Sequence, residues 1–509
     1  MTDIFNNSKR IANNTTLLYI RMLVVMCINL YSVRLLLNAL GIEDYGIYDA
    51  VAGVITVLSS ISSVLQTATL RFYSYALGQN NFQRLQNIFS TSIYIYIILS
   101  IIVFVLGETI GLWFVNTYLI IPPERLIAAN WIYQFSIFSF IFIIMQIPFS
   151  SAVIAHEDMG IFAKISIAES IMKFMAVLLI IVFPFDKLII YGAALFLISI
   201  LILFLYIRIS YIKYAECHYK KNTEKKLFNE LLTFSGWSLF GSVAGVGMAQ
   251  VNTILVNIFF GPLINASRAI SLQINIALSS FTGSFIMAIR TPMIKSYADE
   301  SYSYLNKLFN ISNKLIYYCL LMLCIPLMIE MENILLFWLK NADPNTVLFS
   351  RLILVYAIIM ALNNPISIII QATGHIKEYH VAVEIFTLLC VPATYILFKL
   401  GYPAYTTYIA MIIAAIASHI VRIILLKKFY KPFSLSEYFN SFLLPALFIT
   451  FLSSVIVFIS HSIITDILFR IIVVGFISIL SVTILVMLIG LSRSEKDIIK
   501  QLVASIKRK

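Results

Sequence analysis

Charge is what this sequence lacks most. Only 12% of its 509 residues are Asp, Glu, Lys or Arg, about half the share of a water-soluble domain. A chain with so few charges cannot cover a folded surface in water, which excludes a soluble globular protein. Cysteine is also scarce. Cys217 falls in a basic loop, and Cys27, Cys319, Cys324 and Cys390 fall in separate apolar runs. With no C-x-x-C pair, neither a disulfide framework nor a zinc site is expected. P-loop, HExxH and GxSxG motifs are missing, so nucleotide hydrolysis and the common hydrolase chemistries have no residues to carry them. The six histidines (His156, His218, His375, His380, His419, His461) read as isolated. No catalytic residue, metal site or cofactor is expected, and the chain does not read as an enzyme.

What is present is apolar length. Hydrophobic residues make up 61% of the chain, and the mean hydropathy is +0.94. A membrane-spanning helix needs about 20 mostly apolar residues. Such runs fall near 15–40, 46–70, 88–107, 126–153, 160–183, 188–211, 231–259, 264–290, 311–330, 347–371, 379–398, 404–426, 440–462 and 467–491. The expected fold is an all-α integral membrane protein of about 14 transmembrane helices. Pro148, Pro292, Pro326, Pro365, Pro392 and Pro445 lie in or beside these runs, where proline kinks a membrane helix without ending it. Residues 1–16 are polar, and no small-residue cleavage site follows the first run. That run is read as a retained helix.

The net charge of +12 would suggest nucleic acid in a soluble protein. Here the charges sit between apolar runs. Alternate connections, beginning with the N-terminus, hold 26 Lys and Arg, and the other connections hold 6. Positive residues stay on the cytoplasmic side, so both termini are expected there, in a multi-pass protein of a bacterial inner membrane. No nucleic-acid partner is expected. No connection is long enough for an inserted catalytic domain. The most charged internal stretch, 212–230, separates six runs from eight. Its lysines fit topology and contact with anionic membrane lipids.

An offset of 220 residues aligns the two halves without gaps. Gly41 meets Gly261, Leu58-Ser59-Ser60 meets Leu278-Ser279-Ser280, and Ala68, Leu85, Phe89 and Ser92 meet Ala288, Leu305, Phe309 and Ser312. Two pseudo-symmetric six-helix lobes follow, with an added pair of helices. The expected divisions are 1–212, a basic linker at 213–230, 231–430, the added helices at 431–491 and a cytoplasmic amphipathic tail at 492–509. Such two-lobed proteins place substrate between the lobes and alternate access by rocking.

An ionisable group at the bilayer centre costs a few kcal/mol or more and usually faces a cavity. The candidates are Arg21, Arg34, Asp49, Glu169, Lys173, Arg268 and, near a helix end, Glu384. Glu169 and Lys173 are four residues apart, so they share a helix face and can pair. That pair either serves a cavity or neutralises itself between packed helices. Arg21 and Arg268 lie near membrane faces and could instead snorkel to headgroups. Arg21, Arg34, Lys173 and Arg268 are candidates for holding an anionic, phosphate-bearing substrate, because a guanidinium stays charged and donates two parallel hydrogen bonds. Glu169 and Asp49 are candidates for coupling or charge pairing. Gln66, Gln134, Gln146, Gln250, Asn252, Asn257, Gln273, Asn275, Asn363 and Asn364 could bond sugar hydroxyls or join helices. The run 441–491 holds His461, Asp466 and Arg470 only at its turn, as a pair of helices built for lipid contact would.

The stretch from Asn13 to about residue 90, with Leu40-Gly41 followed by Tyr45-Gly46, resembles the N-terminal region of bacterial Wzx-type polysaccharide (O-antigen and capsule) flippases of the MATE-like MOP superfamily. The C-terminal half is similar in its helix pattern and in the polar segment NASRAISLQIN. The resemblance implies two six-helix lobes, often with two further helices. It implies transfer of an undecaprenyl-diphosphate-linked oligosaccharide from the cytoplasmic to the periplasmic leaflet, for lipopolysaccharide or capsule synthesis. Cationic residues would hold the diphosphate, and the last two helices would help form a groove for the lipid tail. H+ or Na+ would be the coupling ion, and a polysaccharide polymerase and glycosyltransferases would act alongside. The alternatives are a drug or metabolite exporter of the same superfamily, a membrane polymerase or glycosyltransferase, and a scaffold.

Overall fold

The computed structural model describes residues 2–117, 121–182, 185–220, 224–339, 343–492 and 495–496; the side chains of 2–9, 49–60, 182, 262 and several positions between 30 and 46 lie outside the description. The described residues form no strand. The helices are α1 (Thr2–Gly78), α2 (Phe82–Leu106), α3 (Leu112–Thr117), α4 (Leu126–Ala155), α5 (Met159–Val182), α6 (Lys187–Lys213), α7 (Lys225–Ala298), α8 (Tyr302–Ile329), α9 (Met331–Leu339), α10 (Pro344–Thr373), α11 (Ile376–Lys399), α12 (Thr406–Phe429), α13 (Leu435–Tyr438), α14 (Leu444–Ile463) and α15 (Ile467–Leu485). Among the described residues, twelve helical segments are long and apolar enough to cross a membrane. Two other expected spans are helical as well: the second arm of α1, and α5 with its Lys164, Glu169 and Lys173. The protein is a multi-pass membrane protein.

Two compact units divide the chain: Asn14–Ser242, and Val243–Lys509 with Met1–Asn13. Each opens on a very long helix broken by one residue. Gly41 breaks α1 with φ 83° and ψ 170°, and Gly261 breaks α7 with φ 80° and ψ −179°. A positive φ costs an L-residue with a Cβ roughly 1–2 kcal/mol. A Cβ at either glycine would meet nothing within 4 Å. The requirement is therefore the backbone dihedral and not space. The turn expected between the first two spans is reduced to this single extended glycine.

The offset of 220 persists past these helices. Asn80 (φ 52°) and Glu300 (φ 55°) both adopt the left-handed conformation, and α2 and α8 begin at Phe82 and Tyr302. Further on, α4 and α10 each have 30 residues, and α5 and α11 each have 24. The following turns hold His156 stacked on Tyr214 at 4.4 Å and His375 stacked on Phe429 at 4.1 Å.

The third span, expected to stop at 107, continues through a π-turn at Gly107–Gly111 into α3. The Gly107 carbonyl accepts the Leu112 amide that closes the turn and also the Tyr133 hydroxyl, which donates to it at 2.7 Å. Gly111 has room for that hydroxyl only because it lacks a Cβ. Pro148, Pro326, Pro365 and Pro392 sit inside continuous helices.

The basic stretch after α6 is packed where it is described. The Tyr214 hydroxyl donates to Asp158 at 2.5 Å, the Lys220 amide to Ser90 at 3.0 Å, and the Asn87 amide to Glu224 at 2.7 Å. Cys217, expected in an open loop, is 2% exposed. Burial, then the nearby Glu216 carboxylate, pushes its thiol pKa up, so it is a structural and unreactive cysteine. Burial would also raise Glu216, but hydrogen bonds from His156 and its own backbone amide, with the His156 charge, hold it below the usual carboxylate value.

In the second unit, α14 and α15 pack on each other and on α8. Lys314 of α8 is buried and pairs with Glu495 at 2.8 Å. The amphipathic helix expected over 492–509 otherwise lies outside the described residues.

Candidate functional site

Each unit places cations inside the apolar helices. In the Asn14–Ser242 unit they come from α1 and α5. Lys173 Nζ donates to Glu169 Oε1 at 2.6 Å, a pairing that the four-residue spacing allows. The Arg21 guanidinium lies 4.7 Å from the centre of the Phe162 ring. Its Nε is buried without a hydrogen-bond partner, and Glu169 and Tyr206 are its electrostatic neighbours. Arg21, Glu169 and Lys173 thus form one group of two cations and one carboxylate. The Arg34 and Asp49 side chains lie outside the described residues.

In the other unit the candidate cation is Arg268. It is 0% exposed, so it does not snorkel to headgroups. The break at Gly261 brings its second arm of α7 against the first. Arg268 Nε donates to Thr253 Oγ1 at 3.3 Å and Nη2 to the Ala249 carbonyl at 3.4 Å. The guanidinium sits 5.3 Å from the Tyr408 ring centre, and the Tyr408 hydroxyl is fixed by a short hydrogen bond with Ser271. Arg268 Nη1 is buried with no partner, as is Asn252 Oδ1 nearby. No described carboxylate forms an ion pair with Arg268.

Sequence reasoning placed Arg422 outside the membrane and Glu384 only near a helix end, and both are buried. Arg422, counted as a connection charge, is 7% exposed and donates to Tyr379 at 2.9 Å and Ser418 at 2.7 Å. Glu384 is 7% exposed and lies 3.4 Å from His380. The four-residue spacings Ser418–Arg422 and His380–Glu384 were the available signal. The histidines are not isolated: His419 meets Asn363 at 2.7 Å, His156 meets Glu216 at 2.5 Å and His461 meets Glu330 at 2.6 Å. These contacts join positions far apart in the chain. Several polar candidates join helices too: Gln66 donates to Ser150 at 3.1 Å and Gln134 to Glu108 at 3.0 Å.

Two ion-pair clusters were legible only as scattered charges. Arg125 reaches Asp44 through Nε (2.7 Å) and Nη2 (2.5 Å), and Asp186 through Nη1 (2.5 Å). Partial burial would lower the Arg125 pKa, but both carboxylates outweigh it and raise it. Burial would raise Asp186; the Arg125 bond, with the Ile189 and Leu188 amides, lowers it instead. In the second unit Glu330, 1% exposed, takes His461, Arg470 at 3.0 Å and Asn333 at 2.7 Å. His461 and Arg470 are therefore partners of a buried carboxylate, and not lone charges at a turn.

A guanidinium in low dielectric with an unused N–H is built to accept an anion. No described group of three or more His, Cys, Asp or Glu could hold a metal ion.

The sequence matches no protein-family profile and no curated protein. Its fold does match solved structures. An outward-facing multidrug resistance MATE family transporter of the MOP superfamily aligns with TM-score 0.73 and 13% identity, over 83% of this chain and 95% of that one. MATE in complex with MaD3S aligns with TM-score 0.73 and 14% identity, over 84% and 97%. A MOP superfamily transporter from Pyrococcus furiosus, described by the reverse polarity of its binding pocket, aligns with TM-score 0.66 and 12% identity, over 82% and 95%. This chain therefore has the fold of MATE transporters of the MOP superfamily.

Proposed function

We propose that this protein translocates a diphosphate-bearing lipid-linked oligosaccharide across a bacterial inner membrane, by alternating access driven by an H+ or Na+ gradient. The observation that carries the reading is Arg268, a fully buried guanidinium with a free N–H and no described carboxylate partner. Leaving such a charge uncompensated costs several kcal/mol, and an anionic ligand would offset that cost. Arg21 and Lys173, sharing one Glu169, add a second net positive site. The added helices supply apolar surface for the lipid tail: Phe448, Ile472 and Phe476 are exposed.

The second reading, export of a drug or metabolite, takes its support from the fold of those neighbours. A cationic substrate would meet like charge at Arg21, Lys173 and Arg268, which favours the anionic lipid. The deciding experiment reconstitutes the purified protein with an undecaprenyl-diphosphate-linked oligosaccharide and measures its arrival in the opposite leaflet. Wild type is expected to flip it under an ion gradient. Arg21→Ala and Arg268→Ala should slow flipping more than the matching Lys variants. Joint replacement of Glu169 and Lys173 by Ala should abolish it at unchanged abundance. Transport of a cationic dye with no lipid movement would give the site to the exporter reading.

A further inference from the structure

Within the Val243–Lys509 unit, α8, α10 and α14 enclose an apolar pocket of about 630 Å³. Ile325 and Met328 of α8, Val355 and Ile358 of α10, and Val455 and Phe458 of α14 line it. The spacing is three residues on each helix, so each pair forms a stripe on one helix face.

All three stripes run toward one end into ionisable residues. On α10, Arg351 lies one turn before Val355, and its Nε donates to the Met328 carbonyl at 3.0 Å. On α14, His461 lies three residues past Phe458 and stacks beside its ring at 6.3 Å. On α8, Glu330 lies two residues past Met328. That carboxylate is already taken by His461, Arg470 and Asn333. Arg351 forms no ion pair among the described residues. Glu330 pairs with Arg470 and His461, so Arg351, held on the Met328 carbonyl, is left without a carboxylate among the described residues beside the pocket wall.

An apolar chamber with an unpaired guanidinium at one end fits an anionic amphiphile. Val455 and Phe458 are 40% and 61% exposed, so the pocket opens at the surface of α14. In a membrane-spanning helix that surface is lipid. Phospholipid is the solvent there, and mass action fills a lateral site with the most abundant molecule that fits. We infer that this pocket holds an acyl chain of an acidic phospholipid, with its phosphate on Arg351. The guanidinium supplies the paired donors that a phosphate takes. The Lys and Arg distribution puts this end in the outer leaflet. The assignment does not depend on what the protein transports.

Native mass spectrometry of the full-length protein, released from nanodiscs of phosphatidylglycerol mixed with phosphatidylcholine, tests it. One basic residue near a membrane surface is worth roughly 1 kcal/mol toward an acidic lipid, so wild type should retain one phosphatidylglycerol with about fivefold preference. Arg351→Gln should lose the preference, and Arg351→Lys should keep most of it. Ser454→Trp, which fills the pocket, should lose the retained lipid. Each variant's melting temperature reports whether it is folded. Equal retention of both lipids by wild type overturns the inference, as does an undiminished preference in Arg351→Gln. Displacement of phosphatidylglycerol by undecaprenyl phosphate at equal concentration also overturns it, by giving the pocket to the carrier lipid.

Discussion

The two units share a plan and differ in how they handle charge. Both begin with a helix broken at an extended glycine, and both stack a histidine on an aromatic ring after their 30-residue helix. In the Asn14–Ser242 unit the intramembrane cations share a carboxylate, and Lys173 and Glu169 are 46% and 34% exposed. In the other unit Arg268 is fully buried with an unused donor. The carboxylates are reversed. Among the described residues Glu108 of the first unit has Gln134 as its one side-chain partner, with one oxygen buried and unbonded, whereas Glu330 of the second holds a histidine and an arginine from the added helices. A duplicated scaffold thus fixes helices and turns while the buried charges diverge freely. Backbone dihedrals are set by local sterics, but a buried charge needs only some compensating partner.

Arg268 gives the sharpest test of this contrast. A hydrogen bond to a charged group contributes about 1.5–3 kcal/mol, so under the proposed function Arg268→Met should slow lipid translocation about ten- to hundredfold. The same change removes a buried unpaired charge, so the melting temperature in detergent should hold or rise. A lost fold would make Arg268 structural. In Lys173→Ala, Arg21 remains, and the expected loss of transport is smaller.

Glu330→Gln should be the most destabilising single change, by about 3–5 kcal/mol, because it strands Arg470 and His461. Glu108→Gln at the related place in the first unit should be close to neutral in the same thermal assay. Equal effects would remove the claimed asymmetry.

Gly41→Ala and Gly261→Ala should each cost roughly 1–2 kcal/mol, and by similar amounts. A large difference in melting temperature between them would mean that the two breaks are not equivalent.

The smallest effect is expected at Arg125. Its partner Asp186 has a lowered pKa in the folded protein, so the pair's stabilisation is present above the ordinary value of 3.8 and is lost as pH falls through the folded value. Asp186→Asn should remove about 1 kcal/mol near neutral pH and flatten the acid side of the melting profile. The corresponding bond of the second unit joins Ser267 to Asp343 at 3.0 Å and involves no cation, so Ser267→Ala should leave that profile's shape unchanged.

The membrane class, the helices and the repeat were readable from residues 15–491, because each depends on local composition or on spacing along one helix. The paired glycines could be matched by offset alone, and the Glu169–Lys173 bond follows from four-residue spacing. Other features required the folded chain. Arg125 with Asp44 and Asp186, Glu330 with His461 and Arg470, and His156 with Glu216 join residues 60 or more positions apart. Whether Arg268 snorkels or turns inward was also undecidable from its place in a run, since a long side chain can reach either way. The sequence by itself determined that oil would be the solvent and where the helices lie. Only tertiary packing decided which buried charges find partners and which, like Arg268, keep an unused donor among the described residues.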